Sequence, residues 1–306
     1  MTSLPQDKNI QLLVDKIPLL ANAAITKLQG GLTNINYRIE TANAKYVMRV
    51  SNEGSALLGI TRENEEVNTA RAHIAGVGAS IAASLPAENV MVVEWVEAAT
   101  LHAENFQADA LLLRRVAAAL SLLHSGPAFQ GKFYFPDVRK KYLQLVLKNN
   151  YFLPDLYLDI EPLIIELENL LAVNPEPLVP CNNDLLAENF MDDGKKIWII
   201  DYEYAGQNEA SFDIGNLAGE CMLTDAQLSD FCDVYWQRHL PEKIARARAW
   251  SMVARYGWVL WASIQEAVSP ISFNFRAWGK KKWDNVLKEL KSEKYIQVIQ
   301  TLKDKG

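Results

Sequence analysis

Cysteine and histidine are scarce in this chain of 306 residues. It has three cysteines, Cys181, Cys221 and Cys232, together with four histidines, and no Cys-x-x-Cys pair occurs. These residues lack the ligand spacing of a structural zinc site, and three cysteines cannot all pair in disulfides. The sequence therefore predicts a protein of a reducing compartment, long enough to bury a large core without metal or disulfide crosslinks.

An excess of positive charge and a long apolar run are also missing. Lys and Arg total 31 against 37 Asp and Glu, a formal net charge of −6, so no broad nucleic-acid footprint exists. The most apolar stretch, residues 249–268, is interrupted by Arg255, Gln265 and Glu266, which predicts a buried helix and not a membrane span. The charged residues near the start of the sequence do not fit the pattern of a signal peptide. We expect a cytoplasmic protein without nucleic-acid binding or membrane insertion.

The composition is that of a folded globular protein. Hydrophobic residues make up 49% and charged residues 22% of the chain, which excludes disordered, collagen-like and coiled-coil classes. At about 150 residues per domain, the length predicts about two domains.

Hydrophobic periodicity predicts a small sheet followed by a mainly helical part. Helical spacing occurs first at residues 9–21, and period-two alternation then predicts three strands, at residues 25–28, 36–40 and 45–50. A charged helix over 62–75 and a strand over 90–96 follow. Later segments are predicted as helices at 109–124, 137–150, 158–172 and from 212 onward, with strands at 178–180 and 196–200.

The change in pattern near residue 98 predicts two lobes. We expect an α+β, two-lobed fold with a small N-terminal antiparallel sheet lobe and a larger, mainly helical C-terminal lobe. The predicted division is residues 1–97 and residues 98–306, and ligands often bind in the cleft between two such lobes.

Three polar residues have the spacing of a phosphotransfer site. Asp184 is followed by Asn189 after five residues, and Asp201 comes twelve residues later, at the end of the apolar run 198–200. In kinases the first Asp handles the proton of the accepting hydroxyl, and an Asn and a second Asp hold Mg²⁺. Each residue alone is typical of a polar capping loop. The three together indicate catalysis, with Asn189 and Asp201 as metal ligands.

A glycine-containing turn between two predicted strands is the second signal, formed by Gly30, Gly31, Leu32, Thr33 and Asn34. Glycines let backbone amides approach phosphates, and Thr and Asn side chains can donate hydrogen bonds to them. The same residues also fit an ordinary hairpin turn. The turn is not a Walker A loop, because no Gly-Lys-Ser/Thr follows.

Arg49 lies on the strand after this turn, where a kinase has a cation that pairs with phosphates and with a helix acid. We choose Glu65 as that acid, with Glu63 and Glu66 as competitors. The alternative for Arg49 is a solvent-facing strand residue.

Together, these motifs resemble the choline/ethanolamine kinase family, within the aminoglycoside-phosphotransferase-like kinases of protein-kinase-like fold. The resemblance runs from about Ile25 to Trp283 and is most specific at residues 201–206, 212–216 and Glu220. It implies ATP- and Mg²⁺-dependent phosphorylation of a small amino alcohol, with Asp184 as catalytic base. The segment Glu94, Trp95 and Val96 would then offer backbone hydrogen bonds to adenine, and Asp213 would anchor the catalytic loop.

The resemblance also implies an amine pocket. Five of the eight Trp residues fall between 250 and 283, and a quaternary ammonium is recognised by aromatic faces. The residues that match the family's pocket are Tyr204, Glu220, Trp258, Trp261 and Trp278. The alternative for Trp258 and Trp261, three residues apart on a helix, is packing in the core; Trp250 and Trp283 are predicted to do only that.

Two departures from the family pattern stand out. Asn182 occupies the place of the usual His before Asn183 and Asp184, and residues 222–225 lack a frequent further aromatic. Since the usual His organises the loop and Asn also forms hydrogen bonds, we expect activity to survive. The missing aromatic leaves the preference for choline over another amine open.

We therefore predict a choline kinase-like transferase that uses ATP to make phosphocholine. One alternative keeps the chemistry with another acceptor, namely ethanolamine, thiamine, an aminoglycoside or an amino sugar. Another is a catalytically weakened protein that binds choline or nucleotide. The lysines at 280–282 and 288–305 are predicted to form an exposed, solvated helix face.

Overall fold

The computed structural model describes residues 7–51 and 57–304 and begins with a helix packed on an antiparallel sheet. Helix α1 (Asp7–Asp15) and a 3-10 turn (Pro18–Leu20) come first. The sheet strands are β1 (Ala24–Lys27), β2 (Asn34–Glu40), β3 (Lys45–Ser51), β4 (Ile81–Leu85) and β5 (Val90–Glu94), in the spatial order β1-β2-β3-β5-β4. Helix α2 (Arg62–Ile74) lies between β3 and β4 in sequence, and a 3-10 turn (Pro86–Glu88) precedes β5.

The two faces of this sheet differ because side chains alternate along each strand. Apolar side chains of β2 and β3, including Tyr37 and Met48, are buried in one cluster with Ile10 and Val14 of α1. The opposite face carries Arg49, which reaches carboxylates of the helical part. This second face therefore lines the cleft between the lobes.

The second part of the chain is mainly helical. Its helices are α3 (Ala103–Ala108), α4 (Ala110–His124), α5 (Phe135–Lys148), α6 (Tyr157–Val173), α7 (Ala210–Glu220), α8 (Asp225–Trp236), α9 (Pro241–Val268), α10 (Phe275–Leu290) and α11 (Glu293–Asp304). Its short strands are β6 (Ala99–Thr100), β7 (Leu178–Cys181), β8 (Phe190–Asp192), β9 (Ile197–Ile199) and β10 (Gly206–Glu209), and a 3-10 turn (Ala187–Asn189) precedes β8. They form an antiparallel β7–β10 pair and a β6-β8-β9 sheet.

Helix α9 forms the centre of this lobe, because every residue from Ala245 to Gln265 is buried. Helix α7 crosses it so closely that a Cβ on Gly215 would lie 2.2 Å from the carbonyl oxygen of Ala247. The buried helix predicted over 249–268 is confirmed. Within the described part of the chain, no helix has the length and apolarity required to cross a bilayer.

The predicted fold class is confirmed: an antiparallel sheet lobe precedes a larger helical lobe. The boundary near residue 98 stays a prediction, and residues 1–6, 52–56 and 305–306 of the predicted lobes lie outside the described residues. Periodicity missed β4, β6, β8, β10 and α3. Strand β10 reads Gly-Gln-Asn-Glu, and its polar side chains are accepted in the interior because they find buried hydrogen-bond partners.

Candidate active site

The segment 182–189, here called the catalytic loop, is anchored by a buried carboxylate beneath it. Asp213 on α7 accepts the backbone N–H groups of Asn182 at 2.9 Å and Asn183 at 2.7 Å. His124 Nε2 lies 3.1 Å from Asp213 Oδ2, the oxygen that also accepts the backbone N–H of Asn182. Asn183 adopts a left-handed φ of 68°. The position of Asp213 thus sets the path of the loop just before Asp184.

Asn182 ties this loop to the segment that follows β9. Its Nδ2 donates to the carbonyl oxygens of Asp201 at 2.8 Å and Ile200 at 3.3 Å. Its Oδ1 accepts the backbone N–H of Asp184 at 3.1 Å. One amide side chain therefore holds the backbones of both predicted catalytic aspartates.

The predicted catalytic residues lie in one region. Asn189 Nδ2 donates to the carbonyl oxygen of Asp184 at 2.7 Å, which leaves Asn189 Oδ1 as the atom for a metal. Asp201 follows β9 with a left-handed φ of 62°. Burial, and then the negative charges of Asp201, Glu203 and Glu220, raise the pKa of Asp184 well above its usual range.

Arg49 is surrounded by three carboxylates. Its guanidinium lies 2.5 Å from Asp201, 3.1 Å from Glu203 and 3.3 Å from Glu65. Arg62 also pairs with Glu65 and lies 3.5 Å from Glu203. Burial opposes the charged guanidinium, but attraction to Asp201, Glu65 and Glu203 outweighs it and raises the pKa of Arg49.

Of the three acids considered on α2, Glu65 is the one that contacts Arg49. Glu66 accepts a hydrogen bond from Ser84 on β4 at 2.8 Å instead. Since α2 turns by about 100° per residue, adjacent acids point in different directions.

The charges around Arg49 do not balance. Three carboxylates (Glu65, Asp201 and Glu203) face the guanidiniums of Arg49 and Arg62, which leaves one negative charge in excess even before Asp184 is counted. Burial, and then the charge of Asp201, raise the pKa of Glu203. Hard carboxylate and amide oxygens with surplus negative charge are the donor set that Mg²⁺ prefers, so the residues present fit this metal.

The glycine turn lies over this carboxylate group. Gly30 and Gly31 have φ values of 89° and 85°, in the region that favours glycine. A Cβ on Gly31 would lie 2.7 Å from the carbonyl oxygen of Asn34, so a side chain there would displace the turn.

Side chains of the glycine turn contact the helical lobe. Thr33 Oγ1 and Asn34 Nδ2 donate to the carboxylate of Glu203 at 2.6 Å and 2.8 Å. The carbonyl oxygen of Leu32 accepts Gln265 Nε2 at 3.0 Å. Thr33 and Asn34, predicted to donate to phosphates, thus donate to Glu203 in this structure.

The connector after β5 has only part of its backbone available. Glu94 and Trp95 donate their N–H groups to the carbonyl oxygens of Ser80 at 2.9 Å and Lys45 at 3.0 Å. Among the residues that the structure describes, the N–H of Val96 has no hydrogen-bond partner. Of the three connector residues predicted to face adenine, Val96 therefore has the available donor.

The predicted aromatic residues form one cluster. The ring centroids of Tyr204 and Trp258 are 5.3 Å apart, as are those of Trp261 and Trp278. Trp261 Nε1 donates to the Tyr204 hydroxyl at 3.0 Å, which joins the two pairs. Trp258 and Trp261 are also buried in the core. The two alternatives considered for them, core packing and a position beside a ligand, therefore do not exclude each other.

Glu220, at the end of α7, forms an ion pair with Lys282 of α10. Lys282 is 8% exposed, so the predicted solvated face is wrong for this residue, whereas Lys280 and Lys281 are exposed as expected. The reason is that Lys282 lies one helical turn beyond Trp278, on the face of α10 that packs on the lobe.

One group in the described part of the chain has the side chains of a metal site: His124, Cys181 and Asp213. Its members already have partners, since His124 Nδ1 lies 2.7 Å from the Tyr235 hydroxyl and Asp213 accepts backbone N–H groups. Burial raises the pKa of the Cys181 thiol, which keeps it neutral. We interpret this group as part of the loop anchor.

Sequence reasoning gave no role to Glu203, Gln265 or Lys282. Glu203 had a usable signal, because it lies two residues after Asp201 and close to the same site. Gln265 and Lys282 had none, since they come from distant helices whose packing brings them to the cleft.

Comparison with known proteins gives a consistent result. The sequence model of one family, described as choline/ethanolamine kinase, matches residues 25–243. Protein LicA of Haemophilus influenzae is 26% identical over 272 residues, covering 85% of this chain and 78% of that protein. Ethanolamine kinase 2 of Mus musculus is 28% identical over 296 residues, covering 86% and 75%.

Solved structures show the same similarity. A choline/ethanolamine kinase family protein from Mesorhizobium loti superposes with a TM-score of 0.84 at 27% identity, covering 96% of this chain and 98% of the other. A spectinomycin phosphotransferase superposes with a TM-score of 0.59 at 12% identity, which shows a shared fold alone.

Proposed function

Because the chain belongs to the choline/ethanolamine kinase family and is a small-molecule kinase, we propose that it transfers the γ-phosphoryl group of ATP to the hydroxyl of choline. Amino-alcohol phosphorylation follows from the family, and nucleotide use is consistent with a neighbouring structure of LicA in complex with AMP. The choice of choline and the role of each residue are our proposals.

The observation that carries the proposal is the position of Asp184. Its carboxylate is influenced by the negative charges of Asp201 and Glu203, and also by the charges of Glu220 and Lys282, the ion pair that lies beside Trp278. A substrate whose cation binds at the aromatics would therefore place its hydroxyl near Asp184. Proximity of this kind is the main source of catalysis in phosphoryl transfer.

Asp184 is assigned as the proton acceptor. The hydroxyl oxygen forms a bond to the γ-phosphorus, the bond from that phosphorus to the bridging oxygen of ADP breaks, and the hydroxyl proton passes to Asp184. The products are phosphocholine and ADP. In kinases the aspartate at this place in the loop takes up the proton of the accepting hydroxyl.

Asn189 and Asp201 would hold Mg²⁺, which supplies neutralisation of the phosphate charge when bound. Arg49 would bind the phosphates, and its ion pair with Glu65 would orient it. The N–H of Val96 would bind the adenine edge. In this assignment the nucleotide lies between residues 1–97 and 98–306.

Choline is preferred over other acceptors because the pocket offers aromatic faces. An aminoglycoside carries several ammonium groups and would call for several free carboxylates, whereas this cluster is formed by aromatic rings and its Glu220 is already paired with Lys282. Ethanolamine, thiamine and amino sugars are the competing acceptors to test. The contacts of Asn182 support an active loop and speak against the weakened-protein alternative.

The test is ADP release with ATP and Mg²⁺ in the presence of choline, ethanolamine, thiamine or kanamycin. We expect turnover with choline that is lost in Asp184→Ala and on addition of EDTA. Asp230→Ala, at an exposed position on α8, is the matched control and should keep wild-type turnover. Turnover with another amine would refute choline as the substrate, and nucleotide binding without any turnover would favour the weakened-protein alternative.

A further inference from the structure

The pocket beside Asp184 already holds a cation that belongs to the protein. Lys282 Nζ lies 3.9 Å from the ring centroid of Trp278 and forms an ion pair with Glu220. The side chains of Glu220 and Lys282 are each 9% exposed, so their charges are largely removed from water. A cation over an aromatic face and beside a carboxylate is also the environment that an amine substrate would occupy.

Two of the oxygen acceptors near these aromatics already have partners within the protein. Glu220 binds Lys282, and the Tyr204 hydroxyl accepts Trp261 Nε1 at 3.0 Å and lies 3.4 Å from the Tyr142 hydroxyl. A primary ammonium brings three N–H donors, and each requires an acceptor when water is removed. A quaternary ammonium has no N–H group and needs only aromatic faces and diffuse negative charge.

We propose that Lys282 determines amine specificity: by occupying Glu220, it makes the pocket selective for a fully N-methylated ammonium over a primary one. This inference rests on the proposed function and names the residue that decides between two amino alcohols. Lys282 acts through Glu220 and is a specificity residue, not a catalytic one.

Removal of the Lys282 charge is expected to change the binding of primary and quaternary amines by different amounts. If Lys282 lost its charge, the freed carboxylate of Glu220 would attract both kinds of cation. Only the primary ammonium would also donate hydrogen bonds to it, and hydrogen bonds to a charged group are the stronger kind. The primary amine would therefore gain more.

The experiment measures kcat/KM for choline and ethanolamine, with the mono- and dimethylated amines between them. In Lys282→Met we expect the choline-to-ethanolamine ratio to fall about tenfold to a hundredfold. Lys282→Arg, which keeps the charge, should stay close to the wild type. Lys281→Met, on the exposed face of the same helix, is the matched control.

A double variant tests whether the effect passes through Glu220. In Glu220→Gln/Lys282→Met the pocket has lost both charges, so the ratio should return to within a few fold of the wild type. Glu220→Gln alone leaves Lys282 unpaired and should raise KM for both amines without changing KM for ATP. A ratio that stays shifted in the double variant would overturn the inference.

Inhibition constants for tetramethylammonium and methylammonium give a second readout that does not depend on the acceptor hydroxyl. If Lys282→Met fails to fold, the inhibition constants of Glu220→Gln for these two cations still test the inference. Unchanged inhibition constants for both cations would refute a role for the Glu220–Lys282 pair. Wild-type enzyme that turns over neither choline nor ethanolamine contradicts the proposed function. Wild-type turnover of choline with an unchanged ratio in Lys282→Met contradicts only this inference.

Discussion

Asn182 illustrates how one side chain can organise a catalytic loop. Its amide bridges the backbone N–H of Asp184 and the carbonyl oxygen of Asp201, at 3.1 Å and 2.8 Å. The two aspartates come from separate segments, so their relative position depends on this bridge and on the Asp213 anchor below it. A neutral amide can make both contacts because it carries a donor and an acceptor.

We predict that Asn182→Ala lowers kcat on the order of a hundredfold, because misplacing the two aspartates costs catalysis through orientation. KM for ATP should change less, since Arg49 and the glycine turn do not contact Asn182. Steady-state kinetics with both substrates would measure this split.

Two further variants control that result. Asn182→His restores the residue usual in the family at this place and should recover most of the activity. Asn174→Ala, at an exposed position before β7, should behave as the wild type. An unchanged kcat in a stable Asn182→Ala variant, or a KM for ATP that rises as much as kcat falls, would contradict the bridging role.

At the level of elements, the hairpin of β8 and β9 is fixed to α4 by a two-pronged ion pair. Arg115 donates to both oxygens of Asp192, at 2.6 Å and 2.7 Å. The hydrogen bonds from Arg115 hold the pKa of Asp192 below its usual range. Strand β9 leads directly to Asp201. The Arg115–Asp192 ion pair therefore helps to hold Asp201 in position, although it lies outside the site.

The sign of the pH effect follows from that lowered pKa. The pair stabilises the fold above the unfolded pKa of Asp, about 3.9, and the contribution is lost as pH falls through the lower folded pKa. We predict that Asp192→Asn costs about 1 kcal/mol of unfolding free energy at pH 7. The difference from the wild type should vanish in strong acid.

Urea unfolding at several pH values would measure this difference. Asp155→Asn, at an exposed position before α6, is the control and should show no pH-dependent difference of this size. A penalty for Asp192→Asn that stays constant down to pH 2 would show that the effect is not electrostatic.

For the whole molecule, Leu58 and Ile60 pack into the core of the helical lobe, but the contact between the lobes at the cleft itself is polar. Beyond the ion pairs of Arg49, it includes the hydrogen bonds of Thr33 and Asn34 to Glu203, and that of Gln265 Nε2 to the Leu32 carbonyl oxygen at 3.0 Å. Polar contacts of this kind allow relative motion of lobes more readily than a large apolar interface.

We predict that Gln265→Ala increases the mobility of the glycine turn, because one hydrogen bond of about 1 kcal/mol is lost. Amide hydrogen exchange of residues 29–34 should become several-fold faster. Gln297→Ala, at an exposed position on α11, is the matched control. Unchanged exchange at 29–34 in Gln265→Ala would show that this contact does not restrain the turn.

Much of the fold could be predicted from local patterns. Period-two alternation gave β2 and β3 to within two residues, and the continuous apolar run gave the buried helix α9. Strand β10 could not be found this way, because its polar residues are buried only after β7 and α9 supply their partners.

The sequence by itself determined the candidate chemistry, because Asp184 and Asn189 lie on one loop and Asp201 follows the short β8–β9 hairpin after that loop, so that short spacing limits their separation. It also pointed to Arg49 and Glu65, since the order of strand and helix recurs in kinases. Only the tertiary structure decided the environment of Lys282, because the charge pattern of the sequence predicts an exposed side chain at this position. Helix packing brings it to Glu220 and Trp278, and burial of that pair depends on surfaces from three separate helices that no local pattern contains.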